Sequence, residues 1–195
     1  MNKQFKQVLE FNQAFNLPVN VDTIEPKEIE LRKRLLDEEN SEYWEGVQKF
    51  IHSEEKQNPE EARKHAIKEI FDALIDIKYV LIGCYVYCGY PYMNDNNYVN
   101  NSKVGMMDYD ESFNKFREIE ELINTFDLGN INHKLNFLLA EHGMLDYFEL
   151  GFDEVHASNM SKLEDGKVIK REDGKVLKGA NYFKPNLKKV LNYEQ

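Results

Sequence analysis

The stretch KEIFDALIDIKYV, residues 68–80, sets three carboxylates into the most apolar helical pattern of the chain. Glu69, Asp72 and Asp76 follow one another at i, i+3 and i+7, so a helix would carry them along one stripe. A purely solvated acidic face is least expected among so many apolar residues. The pattern therefore predicts a largely buried helix whose carboxylates face another part of the protein.

Helical patterns extend outward from this stretch over most of the chain. Its own helix is predicted to begin after the cap Asn58, with Pro59 at the first helical position, and to end at Gly89. Pro26 opens the preceding helix, which should run to about His52. Further helical patterns cover residues 3–15, 111–126, 131–150 and, more briefly, 152–160. Strand signals are nearly absent before residue 165, so we predict an all-α fold, an antiparallel helical bundle.

Two segments depart from the helical pattern. Residues 93–109 are rich in Asn and show no period, which predicts a loop or a disordered stretch. The stretch LEDGKVIKREDGKVLKG, residues 163–179, contains two Asp-Gly turns, each followed by a short apolar pair. It predicts an irregular or hairpin-like C-terminal tail.

Composition excludes several classes of protein. The 195 residues carry a net charge of −10, which argues against a nucleic-acid binder because such a protein needs a basic face. The N-terminus does not resemble a secretory signal, and no apolar run is long enough for a membrane span. Cys84 and Cys88 are interpreted as reduced helix residues, which favours a cytoplasmic location. The charge is uneven, with a net +4 over residues 158–195 and −14 over the rest.

A second acidic stripe lies in the preceding helix. In LLDEENSEYWEG, residues 35–46, Glu38, Glu39 and Glu42 share one flank of a helix. Carboxylates three or four positions apart can bring two oxygens to one ion of the Mg²⁺ type. Two such stripes on neighbouring helices favour a cation site, although the 35 Asp and Glu residues also allow two ordinary solvated faces.

These motifs resemble those of a known superfamily. Residues 38–42, EENSE, and residues 69–72, EIFD, are similar to the EExxE and ExxD motifs of the all-α NTP pyrophosphohydrolases, which include MazG-like enzymes, dimeric dUTPases and phosphoribosyl-ATP pyrophosphohydrolases. Residues 152–187 resemble the C-terminal block of the phosphoribosyl-ATP pyrophosphohydrolase-like MazG branch. The similarity covers about residues 5–90 and 150–191. It implies a single domain, residues 1–195, with a helical insertion at residues 91–150.

The resemblance implies a Mg²⁺-dependent hydrolase, with Mn²⁺ as a substitute ion, that cleaves nucleoside triphosphates to monophosphates and pyrophosphate. It implies that the metal is held by Glu39, Glu42, Glu69 and Asp72, with Asp76 as an additional or alternative aspartate. It implies that Glu38 is a further ligand or the base that orients the attacking water. The implied catalytic residues are Glu38 and Glu39. Asn159, Lys162 and Lys178 would contact the substrate. Lys167 and Lys175 directly follow Asp-Gly pairs and are interpreted as solvated turn lysines.

Alternatives remain open at this level. Phosphoribosyl-ATP is a second substrate within the same class, and a catalytically silent helical module that binds metal or a basic partner is an alternative of another class. Two long helices with wide apolar faces cannot cover each other fully in a hairpin. We therefore expect a homodimer or a dimer of dimers.

Overall fold

Helices account for the regular secondary structure of the part of the chain that the computed structural model describes, residues 2–92, 98–99, 103–104, 108–163, 168–172 and 175–193. The helices are α1 (Lys3–Ala14), α2 (Pro26–Ile51), α3 (Pro59–Cys88), α4 (Tyr109–Thr125), α5 (Leu128–Glu141), α6 (Phe148–Met160) and α7 (Leu187–Val190), with short 3₁₀ turns at His52–Glu55 and Leu145–Tyr147. No strand occurs in these residues, so the predicted all-α class is confirmed. None of the helices found there is long and apolar enough to cross a membrane.

Local side-chain chemistry explains where the helices begin. The Asn58 side chain accepts a hydrogen bond from the Glu61 backbone N–H, and Pro59 is the first residue of α3, as predicted. Asp108 and Asp127 cap α4 and α5 in the same manner. These side chains satisfy donors that the first turn of a helix leaves without a backbone acceptor. The left-handed Gly89 then ends α3, at φ +69°.

One predicted helix, at residues 131–150, is wrong. The structure divides this segment into α5, which ends at Glu141, and α6, which begins at Phe148. Between them Gly143 adopts φ +67°, a left-handed conformation that stops an α-helix. The predicted segment at residues 152–160 is the remainder of α6. The apolar residues kept a helical spacing across the break, which is why the period alone concealed it.

Helix α3 occupies the centre of the molecule. Its buried residues lie on several faces, among them Ile70, Phe71, Leu74 and Leu81, and α1, α2, α5, α6 and α7 all pack against it. Helices α2 and α3 are antiparallel neighbours, because Gly46 faces Ile70 while Glu39, seven residues earlier, faces Asp76. This order brings the two acidic stripes to the same interface.

Two glycines permit the closest helix contacts. A Cβ atom on Gly46 of α2 would lie 2.8 Å from Ile70 Cγ1 and 3.2 Å from the Ile70 backbone nitrogen. A Cβ atom on Gly151 of α6 would lie 2.6 Å from Ile75 Cδ1. Both positions therefore need a residue without a side chain if α2 and α6 are to pack this tightly on α3.

The predicted insertion contributes α4 and α5, which cover α2 and α3. Ile119, Ile123, Leu135 and Leu138 are fully buried in the shared core. Trp44 of α2 packs against an aromatic group on α4, with ring centroids 5.2, 5.1 and 5.6 Å from Tyr109, Phe113 and Phe116. The wide apolar faces on which the dimer expectation depended are thus partly covered within one chain.

A buried lysine also ties the insertion to the centre. Lys78 of α3 is fully buried and donates hydrogen bonds of 2.6 Å to the Oδ1 atoms of Asn132 and Asn136 on α5. The Tyr92 hydroxyl donates a further bond of 3.3 Å to Asn132. These polar contacts fix α5 against α3 at one register, because an unpaired ammonium or amide would be costly there.

The tail is hairpin-like, as predicted. Lys170 and Val176 form an isolated antiparallel bridge, and the Leu177 backbone N–H donates to the Ile169 carbonyl at 2.8 Å. The Asp-Gly pairs at 165–166 and 173–174, Lys167 and most of the predicted loop at 93–109 lie outside the described residues. Further along, the Phe183 carbonyl accepts a bond of 2.7 Å from Ser158 of α6, so the tail is held beside that helix.

Candidate functional site

Four carboxylates from α2 and α3 lie close enough to repel one another. Glu39 and Glu42 extend from α2 toward Asp72 and Asp76 on α3, and each influences the protonation of its neighbours. The i, i+3 and i+4 spacings place each pair on one flank of its helix, and the antiparallel packing brings the flanks together. The acidic flank of α2 therefore lies beside the acidic flank of α3, and the use of these four residues as a cation site stays a prediction.

Burial dominates the electrostatics of this group. It raises the pKa of Glu39 to about 7, with repulsion from Glu42 as the second cause. Burial, and then repulsion from Glu39 and Asp72, raises the pKa of Asp76 well above its ordinary value. The pKa of Glu42 is raised by burial and by Asp72. Without added positive charge, such a group favours bound protons, and a cation that replaces those protons would relieve the repulsion.

Lysines supply some of this positive charge from within the chain. Lys175 of the tail forms an ion pair with Glu38 and lowers the pKa of Glu39. Lys162, two residues beyond the end of α6, opposes the raised pKa of Asp76. Burial lowers the pKa of Lys162 itself, while Asp76 raises it. The basic tail therefore lies against the acidic interface between α2 and α3.

The predicted substrate residues are only partly brought together. Asn159 is buried on α6, and its Oδ1 atom accepts a hydrogen bond of 2.6 Å from Lys162 Nζ. Lys178 is exposed and lies over the ring of Tyr182, 4.7 Å from its centroid, while remaining close enough to Lys162 to lower the pKa of that residue. Asn159 and Lys162 are thus joined by a hydrogen bond, and Lys178 lies nearby on the exposed surface.

Glu69 and Asp72 have other cationic partners. Lys49 of α2 lies 3.1 Å from Glu69 Oε2, and His65 Nδ1 lies 3.4 Å from the same atom. Lys68 donates to Asp72 at 2.6 Å, along the same helix. Glu69 thus lies one helical turn before Asp72 and is paired with neighbouring cations, whereas Asp76 lies within the four-carboxylate group. The role of Glu69 as a metal ligand stays a prediction.

The donor set has the chemistry of a Mg²⁺ site, since every candidate ligand atom is a carboxylate oxygen. In the described parts of the chain, however, no three His, Cys, Asp or Glu side chains converge closely enough to hold a metal ion as they stand. Glu39, Glu42, Asp72 and Asp76 are the residues that could hold one after their side chains turn toward a common point.

Sequence reasoning missed two features of the site. Lys175 was interpreted as a solvated turn lysine, yet it pairs with Glu38, 137 positions away in the chain. The hydrogen bond between Tyr79 and His156, 3.0 Å long, joins α3 to α6 beside Asn159. The uneven charge of the chain was a signal for the first feature. No local pattern signalled the second, because it depends on how two distant helices pack.

Comparison with known proteins adds no relative. No family model matches the chain, no curated protein matches it, and no solved structure matches it.

Proposed function

We propose that this protein is a Mg²⁺-dependent nucleoside triphosphate pyrophosphohydrolase that releases pyrophosphate and a nucleoside monophosphate. The observation that carries the proposal is the meeting of Glu39 and Glu42 of α2 with Asp72 and Asp76 of α3, under a tail that carries lysines. The resemblance of the EENSE and EIFD motifs supports the same activity. A strongly acidic interface beside lysines suits a ligand that is bound through both cations and direct ammonium contacts.

The carboxylates have distinct tasks in this proposal. Glu39, Glu42, Asp72 and Asp76 would hold the metal, with Glu69 as a further ligand. Bound Mg²⁺ would neutralise phosphate charge and lower the pKa of a bound water. Glu38 is exposed at the edge of the group and forms an ion pair with Lys175 of the tail. It is the residue proposed to accept the proton of the attacking water.

The lysines hold the phosphates. Lys162 lies beside Asp76 and is fixed by Asn159, so its ammonium is available at the inner end of the site. Lys178 is exposed at the outer side and would reach the more distant phosphate oxygens. A flexible ammonium suits this task because it binds a phosphate oxygen as a point charge without a fixed geometry.

Pyrophosphate release from a panel of ribo- and deoxyribonucleoside triphosphates, with phosphoribosyl-ATP included, tests the proposal. We expect Mg²⁺-dependent release with at least one substrate, and loss of at least 100-fold in Glu39→Gln and in Glu42→Gln, on the order of the effect of removing a catalytic electrostatic group. Glu30→Gln is the matched control, because Glu30 lies on the same helix and forms an ion pair with the nearby Lys33, three residues along the chain. Equal activity of the three variants would contradict the proposal.

A silent binding module is the second candidate. It is favoured by the pairing of Glu38 and Asp72 with lysines of the same chain, together with the lack of a converged three-ligand group among the described residues. Titration calorimetry with Mg²⁺ and a non-hydrolysable triphosphate separates the two candidates. Metal binding without nucleotide binding would favour the module.

A further inference from the structure

A line of hydrogen bonds runs from α1 to the candidate site through residues that have no task in the proposed function. It begins at Glu10, whose Oε2 atom lies 3.4 Å from His156 Nε2. His156 Nδ1 lies 3.0 Å from the Tyr79 hydroxyl oxygen, and the Asn159 side chain lies close enough to that hydroxyl to offset part of the rise in the pKa of Tyr79 that burial causes. Asn159 Oδ1 then accepts from Lys162 Nζ at 2.6 Å. The line thus ends at the lysine beside Asp76.

The central residue of this line is held rigidly. Tyr79 is only 6% exposed, and its ring packs between Phe11, at 5.7 Å, and Phe152, at 5.3 Å. A buried hydroxyl that cannot reach water must use partners in the protein. The His156 and Asn159 side chains are those partners, so the direction of each bond between them is constrained.

The direction follows from the carboxylate at the far end. An ionised carboxylate only accepts hydrogen bonds, so the Glu10 contact favours a proton on His156 Nε2. In the neutral ring Nδ1 is then an acceptor, and Tyr79 must donate its hydroxyl proton to it. The Tyr79 oxygen is left to accept from the Asn159 amide nitrogen. The Asn159 amide oxygen consequently faces Lys162, which is the arrangement observed.

We propose that Tyr79 and His156 are positioning residues, which fix the amide of Asn159 so that its oxygen holds the Lys162 ammonium at the site. The alternative amide orientation would point an –NH₂ group at the ammonium and repel it. Glu10 sets the direction of the whole line from outside the site. The kinetic consequence of this inference depends on the proposed function, whereas the tautomer of His156 does not.

Steady-state kinetics of Tyr79→Phe test the kinetic consequence. The change keeps the ring between Phe11 and Phe152 and removes only the hydroxyl. We expect KM for the triphosphate to rise roughly five- to tenfold, as for one lost hydrogen bond, with kcat within about twofold, because Lys162 holds the phosphates equally in the ground state and the transition state. The matched control is Tyr87→Phe on the same helix. Tyr87 is also buried, and its hydroxyl accepts a 3.0 Å bond from the Glu25 backbone N–H, far from Asn159 in the chain.

Two substitutions of His156 separate positioning from packing. In His156→Asn the side-chain oxygen lies near the former Nδ1 and still accepts from Tyr79, so we expect KM close to the wild-type value. In His156→Gln the amide reaches the former Nε2 position and leaves Tyr79 without its acceptor, so KM should rise as in Tyr79→Phe. An unchanged KM in Tyr79→Phe, or an equal KM in the two His156 variants, would overturn the inference.

Nitrogen-15 NMR of the imidazole rings reads the tautomer directly in the full chain. The His156 signal is identified by its loss in His156→Asn. We expect the neutral form with the proton on Nε2 at neutral pH, and a proton on Nδ1 would overturn the inference. This measurement remains decisive if the wild-type protein hydrolyses no nucleotide. Failure of the proposed function is therefore distinguishable from failure of the hydrogen-bond line.

Discussion

Lys78 should give the stability of this protein an unusual dependence on pH. Its ammonium is fully buried between Asn132 and Asn136, and burial lowers its pKa from 10.5 to about 7. The unfolded chain therefore binds a proton at Lys78 more tightly than the folded protein does. Stability from this residue is fully present above pH 10.5 and is lost as the pH falls to about 7.

The magnitude follows from the size of the pKa shift. At about 1.4 kcal/mol for each pKa unit, the change from 10.5 to about 7 corresponds to roughly 5 kcal/mol in total. Between pH 7 and pH 9 the free energy of unfolding should rise by about 2 kcal/mol because of Lys78, since the folded-state group is half protonated at pH 7. Lys78→Met removes this contribution. It also removes one hydrogen bond to each of Asn132 and Asn136, at about 0.5–1.5 kcal/mol each, so the pH dependence is more informative than the absolute stability.

Urea unfolding at pH 7, 8 and 9 measures the effect. We expect the free energy of unfolding of the wild-type protein to gain about 2 kcal/mol over this range relative to that of Lys78→Met. Other groups that titrate here, such as the two cysteines, are present in both proteins and cancel in the difference. Parallel pH dependences of the two proteins would refute the reasoning and would place the folded-state pKa of Lys78 outside this window.

Further substitutions test the close packing of α2 on α3 and the effect of burial on His142. Gly46→Ala should destabilise the protein by about 1–2 kcal/mol in urea unfolding, because crowding against Ile70 Cγ1 at 2.8 Å and the Ile70 backbone at 3.2 Å exceeds the helix-propensity gain of about 1 kcal/mol. Gly83→Ala, whose Cβ would meet only Val8 at 3.9 Å, should instead stabilise it by about 0.5–1 kcal/mol, and the opposite order would contradict this reading. Burial also lowers the pKa of His142 from 6.5 to about 4, so its contribution of about 3 kcal/mol should be lost as the pH falls through this range. His142→Gln should flatten that acid limb in thermal unfolding, and an unchanged acid limb would contradict this assignment.

Sequence patterns predicted the helices better than the contacts between them. The start of α3 was readable because Asn58, Pro59 and Glu61 act on one another within a single turn. The break between α5 and α6 was not, because Leu138, Leu139 and Leu145 keep a helical spacing on either side of Gly143. A period reports where apolar residues recur, but it does not report a change in backbone direction.

The candidate site shows the same limit. The acidic flanks of α2 and α3 were predictable because a short connection makes neighbouring helices antiparallel. The partners of individual residues were not, since Lys175 reaches Glu38 and Tyr79 reaches His156 only through the packing of distant segments. The dimer expectation had assumed that α2 and α3 lack cover, but α4 and α5 supply some of it. Association with a second copy stays a prediction.

The aromatic group on α4 makes the single tryptophan of the chain a natural optical probe. Trp44 contacts Tyr109, Phe113 and Phe116, so its fluorescence depends on the docking of α4 against α2. Trp44 lies two residues after Glu42 and five after Glu39, and these spacings place its side chain on a different side of α2 from the two carboxylates. A change of its emission during unfolding would therefore time the release of α4, without any label and without disturbing the acidic interface.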